Sequence, residues 1–182
     1  ERSDPRISHA ILGSPEATDP IALVCTSDWH FGSRYVDYEK WEQDFRYFQT
    51  LPPDRFRILL MGDLIDNVYP QFRNADVVFG ALTPREQRNL LREILKRLEK
   101  HLELACWGNH DNEWDEKRNA DSPVAELLRS FCHYFWATAS VEYWVGSQSY
   151  RLFLSHDLKG RSWFHSLHGN IRGFLDTHAD IV

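Results

Sequence analysis

The chain has 182 residues, 42% hydrophobic and 26% charged, which suits one globular domain with a real core and is cramped for two. Aromatic residues make up 14% of it and exclude a disordered chain. A formal charge of −6 and a pI near 5.8 exclude a global field that gathers nucleic acid, so such a role needs a local basic patch or bound cations.

Residues 1–20, "ERSDPRISHAILGSPEATDP", are rich in Pro, Ser, Asp and Glu and lack a period. They read as an arm or linker ahead of a domain over 21–182. "IALVCTS" is an apolar run of strand length, the pattern of a strand buried on both faces. Tyr38, Trp41, Phe45 and Phe48 then recur at spacings of three and four, one apolar stripe on a helix that Pro52 and Pro53 end. "FRILLM" is a second buried strand. "TPREQRNLLREILKRLEKHL" predicts a helix with Thr83 as cap, Pro84 in the first turn and Glu86 completing a capping box. Its inward face is Leu91, Ile94, Leu95, Leu98 and Leu102. "LELAC" is a third buried strand. Ser122-Pro123 opens another helix, with Leu127, Leu128, Phe131 and Phe135 inward. "SVEYWV" and "YRLFLS", separated by Gly146 to Ser149, predict a β-hairpin. A loop and short helix over roughly 160–177 lead to "ADIV", a further strand. Strand and helix alternate before the hairpin, which predicts an α/β fold with mixed sheets.

No apolar stretch approaches the ~20 residues of a membrane span, and no signal-peptide core is present. Cys25, Cys106 and Cys132 have no CxxC spacing. They read as buried thiols of a reducing compartment, so the expected location is cytoplasmic. The chain opens on Glu1 and closes on a strand just beginning, so both ends are expected to be cut.

The polar clusters lie where the apolar runs stop. "LVCTS" runs into Asp28-Trp29-His30, "RILLM" into Gly62-Asp63-Leu64-Ile65-Asp66-Asn67, "LELAC" into Gly108-Asn109-His110-Asp111, and "RLFLS" into His156-Asp157. Singly, each is ordinary turn chemistry. Ligands of α/β sheets gather outside the carboxyl ends of the strands. Four successive strand exits would therefore bring carboxylates, imidazoles and an amide to one volume. Carboxylates packed together repel unless cations neutralise them. Mixed oxygen and imidazole ligands suit Mn first, with Fe, Zn or Ni as alternatives.

The ordered set "DWH", "GDLID", "GNHD" and a strand-end "SH" resembles the calcineurin-like metallophosphoesterase superfamily, from about Ile21 to the end of the chain. The resemblance implies two mixed β-sheets packed as a sandwich flanked by helices, with a dinuclear metal site at the C-terminal ends of the strands. It implies that Asp28 and His30 hold the first ion, that Asp63 bridges, and that Asn109 and His156 hold the second. His110 would face the phosphate as the catalytic acid, Asp111 would orient its imidazole, and Asp66 would steady a histidine. The implied activity is hydrolysis of a phosphodiester, nuclease-like, or of a phosphomonoester by metal-activated hydroxide. The alternative is a non-catalytic binding scaffold of the same fold, which would have no use for His110.

Departures from the superfamily narrow the substrate. Its Gly-His-x-His motif is absent. It is expected just past Val182, with substitution by His168 or His178 as the rival reading. Ser/Thr phosphatases of the superfamily carry Arg where Asn67-Val68 stands and Glu where Asp111 stands. Lipid A pathway pyrophosphohydrolases carry Arg in place of His110. "DWHFG" is closer to the Asp-x-His-Leu-Gly of the DNA-repair exonuclease branch, which makes nucleic acid a candidate partner. Arg34, Lys159, Arg161 and Arg172 are candidates for a phosphate-binding rim. Trp29, Phe31, Trp107, Trp114 and Trp163 could stack on bases, although capping the core is the favoured reading. No membrane partner is expected, and no feature specifies an oligomeric state.

Overall fold

The computed structural model describes residues 7–67, 82–120, 122–136, 138–156 and 180. They fall in two compact units, Ile21–Tyr134 and the pairing of Glu1–Pro20 with Phe135–Val182. Lys159, Arg161, Arg172, His168, His178 and Trp163, and the helix expected over 160–177, lie outside the described residues.

The Ile21–Tyr134 unit runs β2 (Ala22–Thr26), α1 (Tyr38–Thr50), β3 (Phe56–Leu60), α2 (Pro84–Leu98) and β4 (Leu102–Cys106). A π-helical turn over Asn109–Glu113 follows, then α3 (Trp114–Asn119), α4 (Pro123–Arg129) and β5 (His133–Phe135), whose last residue falls in the other unit. The strands lie in the order β2-β3-β4-β5. β2 pairs parallel with β3, and β3 with β4, with a register shift between Ile58 and Leu59.

Composition explains the layering. β3 sits inside the sheet, and Ile58, Leu59 and Leu60 are wholly buried, as a continuous apolar run demands. β2 has the same kind of sequence but lies at the edge, with Ala22 and Cys25 exposed. Cys25 is therefore not the buried thiol expected, whereas Cys106 is buried and Cys132 half-buried.

α2 forms as its caps require. The Thr83 hydroxyl accepts from the Glu86 amide at 3.4 Å, and the Glu86 carboxylate accepts from the Thr83 amide at 2.8 Å. Leu91, Ile94, Leu95 and Leu98 face the core, each worth about 1.5–3 kcal/mol of transfer free energy. Leu102 belongs to β4 and not to the helix. Asp37 caps α1 by accepting from the Lys40 amide at 2.9 Å. Phe45 is buried, with Trp41 and Phe48 packed against the same core, while Tyr38 stays exposed.

The other unit is a sheet ordered β1-β6-β7, made of β1 (Ile7–Ser14), β6 (Thr138–Val145) and β7 (Gln148–Ser155). β6 and β7 form the expected antiparallel hairpin, with Val145 opposite Gln148. Gly146 (φ 59°) occupies the first turn position, which in a type II′ turn needs a positive φ. Asp180 joins this sheet through Arg151, its amide donating to the carbonyl at 2.8 Å and its carboxylate accepting from the amide at 2.7 Å.

Two expectations are corrected here. The sheets are not both mixed: β1-β6-β7 is mixed, but β2, β3 and β4 run parallel. Nor is 1–20 simply an arm, because Ile7–Ser14 pairs parallel with Thr138–Val145 along its whole length. Its inward positions include Ser8 and Ala10, while Ile11 points out at 73% exposure, so no apolar alternation marks it in the sequence. Gly13 (φ 99°) is required there, since a Cβ would lie 2.2 Å from the Trp144 carbonyl oxygen.

β1 is predicted to hold tightly. Hydrogen exchange should show the β1 amides that face β6 protected to the level of β6 itself. Exchange at the rate of an unstructured peptide throughout 8–14 would contradict the pairing.

Candidate metal centre

Three strands of the Ile21–Tyr134 unit end in polar loops, and the first two loops are joined along their backbones. Asp28 N donates to Gly62 O at 3.0 Å, His30 N to Asp63 O at 3.0 Å and Phe31 N to Leu64 O at 3.1 Å. Asp66 N donates back to Phe31 O at 3.0 Å. This lattice holds a backbone that most residues avoid. Asp28, His30, Asp63 and Asn67 have φ of 56°, 44°, 54° and 44°. The left-handed region costs roughly 1–2 kcal/mol per residue, least for Asp, Asn and His, the types found here. Strain gathered at one place points to function.

The lattice turns two carboxylates and an imidazole toward one point. Asp28, His30 and Asp63 present ligand atoms all within 4.8 Å of one another. His30 Nε2 is 3.7 Å from Asp28 Oδ1 and 4.0 Å from Asp63 Oδ2. Behind the ring, His30 Nδ1 lies 3.5 Å from Asp66 Oδ1, a charge contact at the limit of hydrogen bonding. Asp66 raises the His30 pKa above its ordinary value more than any other group, against the opposing effect of burial, and Asp63 and Asp28 add to the rise. Asp63 is the buried member, its side chain 6% exposed. Three carboxylates around one imidazole leave uncompensated negative charge. The donors are oxygen and imidazole without thiolate, so the residues fit a hard or borderline divalent ion.

His110 stands beside this group. Its amide donates to Asp63 Oδ1 at 2.9 Å, and its ring meets that of His30 edge-on with centroids 4.6 Å apart. Its Nδ1 is 2.8 Å from the Asp66 carbonyl oxygen. A carbonyl only accepts, so Nδ1 carries hydrogen and Nε2 remains to give or take a proton. His30, Asp66 and His110 form a second group with ligand atoms within 4.8 Å.

Asp111 plays a different part from the one expected. Its Oδ1 accepts from the amides of Leu64 and Ile65 at 2.8 and 3.0 Å, so the wholly buried carboxylate ties the β4 loop to the β3 loop. The His110 ring is oriented by the Asp66 carbonyl. Asp111 is a positioning residue.

Sequence reasoning left three other clamps without a role. Asn67 Nδ2 donates to His110 O at 3.0 Å and to Asp115 Oδ2 at 3.0 Å, and Asn67 N donates to Gln87 Oε1 at 2.8 Å. Asn67, Gln87 and Asp115 are all buried. A signal existed for Gln87, a polar residue in the inward stripe one turn before Leu91. Gly32, beyond turn-making, leaves room for that glutamine: a Cβ there would lie 2.2 Å from Gln87 Nε2. Gly108 is the tighter case, since a Cβ would lie 2.1 Å from Asp63 N and 2.7 Å from Asp111 Oδ2.

The remaining expected residues are placed as follows. Asn109, half-buried, opens the π-helical turn next to His110. His156 follows β7 in the other unit, half-buried. Arg34 lies over the Tyr35 ring at 5.2 Å. Trp29 and Phe31 are core residues, 8% and 1% exposed, and Trp29 also lines the cavity beside Asp28 and His30. Trp107 is half-buried. No helix among the described residues is long and apolar enough to cross a membrane.

The sequence model of the calcineurin-like phosphoesterase family matches residues 21–180. No curated protein matches the chain.

Two predictions follow from the geometry. Gly108→Ala should destabilise the fold by ~1–3 kcal/mol through overpacking, and should lower metal content because Asp63 must move. Thermal melts and metal analysis read the two effects; unchanged values in both would show that the loops do not depend on this approach. The second concerns pH. The raised pKa means that the metal-free protein gains stability from His30 imidazolium below the ordinary histidine pKa of about 6.5, and loses it as pH rises through the raised value. A cation needs the neutral ring, so Mn affinity should climb with pH through that range, with proton release on binding. Calorimetry in buffers of different ionisation enthalpy counts the protons, and none released near pH 6.5 would refute the assignment.

Proposed function

Because the chain belongs to the calcineurin-like phosphoesterase family, we propose that it is a dinuclear metal-dependent hydrolase acting on phosphodiesters in preference to phosphomonoesters. The observation that carries this is the convergence of Asp28, His30 and Asp63 with the His110 ring alongside. Asp28 and His30 would hold the first ion, Asp63 would be shared with a second, and Asn109 would contribute to that second one, while His156, the other expected ligand, belongs to the other unit. Two divalent ions, Mn first among them, would supply a hydroxide nucleophile at neutral pH and charge to offset the developing negative charge.

The chain's own residues do the rest. Asp66 keeps the His30 ring turned so that Nε2 faces the two carboxylates. Through its carbonyl it also fixes His110, whose Nε2 would donate to a phosphoryl oxygen or to the leaving oxygen. In the hydrolysis one P–O bond forms from water and the P–O bond to the alcohol breaks. The alkoxide takes its proton from His110, which is reprotonated from solvent. Preference for a diester rests on the likeness of "DWHFG" to the exonuclease branch, and nucleic acid is the diester that likeness suggests. A scaffold without chemistry would leave the fixed His110 ring unexplained.

Asp63→Asn should lower bound Mn and turnover of bis-p-nitrophenyl phosphate together, since the shared ligand loses its charge. His110→Asn should keep the metals and lower turnover by roughly 10²–10⁴. Metal loss in the His110 variant would mean that its ring is a ligand. Faster turnover of p-nitrophenyl phosphate than of the diester would reverse the stated preference.

A further inference from the structure

A cavity of about 560 Å³ opens beside Asp28, His30 and Asp66, a volume that suits a small molecule or one arm of a larger one. Whatever occupies it adjoins the residues proposed to act on the phosphate. Trp29, Tyr35, Val36 and Trp41 supply its apolar and aromatic walls.

Two of the three rings are fixed from behind. The Trp29 indole N–H donates to the Thr26 hydroxyl at 2.7 Å. Trp41 meets Trp29 edge-on with centroids 5.6 Å apart, and Phe45 stacks on Trp41 at 4.9 Å. Tyr35 differs, because 74% of it is exposed. A single exposed tyrosine is ordinary. This one stands at the edge of a cavity, in a loop that Tyr38 closes. The Tyr38 hydroxyl accepts from the Gly32 amide at 2.8 Å and donates to the Ser33 carbonyl at 3.0 Å. The Arg34 guanidinium lies over the Tyr35 ring at 5.2 Å. The loop therefore offers its aromatic ring pre-formed, which lowers the ordering cost of binding.

The polar lining has other employment. Asp37 caps α1 and Lys40 is paired with Asp44 one helical turn on. The aromatic walls are left as the principal recognition surface, and stacking on them needs no particular pattern of donors and acceptors. Every nucleobase has a π-face, so such a surface tolerates any base.

Resting on the phosphodiesterase reading, we propose that this cavity is a stacking subsite for the nucleobase next to the scissile phosphate. Tyr35 is the ring against which the base lies, and Trp41 and Trp29 form the fixed wall. The substrate class is then a nucleotide diester, recognised by having a base and not by which base it has.

Calorimetry on the Mn-loaded protein tests this with thymidine 5′-phosphate and 2-deoxyribose 5-phosphate, which keeps the sugar and phosphate but lacks the base. The base should lower Kd by at least about fivefold. Tyr35→Ala should cut that advantage below about twofold, and Tyr35→Phe, which keeps the ring, should retain it. Position 35 is exposed, so thermal melts of both variants should match that of the unaltered protein. Equal Kd values for the two compounds on the unaltered protein would overturn the subsite. The hydrolase reading would stand, since turnover of bis-p-nitrophenyl phosphate tests it separately. A base advantage that survives Tyr35→Ala intact would overturn its assignment to this cavity. Binding of neither compound by a protein that still hydrolyses the diester would overturn the subsite alone. Binding of neither, with no hydrolysis, would overturn both readings.

Discussion

The carboxylate of Asp63, almost fully withdrawn from water, is the constraint on which the centre depends. It lies in a left-handed residue, under a glycine whose missing Cβ is the space the Asp63 amide occupies. One oxygen takes the His110 amide and the other faces His30. A buried carboxylate is costly unless hydrogen bonds or a cation compensate its charge. The positions of Gly62, Gly108 and His110 are what that one placement requires.

Around it the chain separates two tasks. Charged residues, Asp28, His30, Asp63 and Asp66, face one another and await a cation or hold a proton. Asn67, Gln87, Asp111 and Asp115 spend their hydrogen bonds on main chain and on each other, locking the exits of β3 and β4 together. Proton and metal are alternatives at His30. Imidazolium partly compensates the carboxylates at low pH, and a divalent ion does so more fully once the ring is neutral. The site thus keeps a compensating charge in either condition.

The strands that deliver the site were legible in the sequence because they are apolar runs that stop abruptly at Asp, Asn or His. α2 was legible through Thr83, Pro84 and Glu86, whose roles are local. What failed was whatever depends on the neighbour across the sheet. "IALVC" reads like "RILLM", yet one is an edge strand and the other lies between two partners; nothing local distinguishes them. β1 escaped because only Leu12 of its inward residues is large and apolar, Ser8 and Ala10 being polar or small, while Ile11 faces out. The Asp111 carboxylate was misread for a related reason. Adjacency in "HD" suggested a pair, but successive side chains diverge, and the carboxylate found amides 46 and 47 residues away.

The parallel pairing of β1 with β6 carries a consequence for the order in which the molecule is made. Ile7 is translated long before its partner Thr138 exists, and at about 5–20 residues per second the wait is on the order of ten seconds. During that time Ala10, Ile11 and Leu12 have no sheet to join, whereas the Ile21–Tyr134 unit can close on itself as it emerges. The last unit to be completed is the one that begins first. A nascent chain stalled before the β6–β7 hairpin would carry a folded middle and an unpaired amino-terminal strand, the kind of exposed edge that chaperones cover and proteases find.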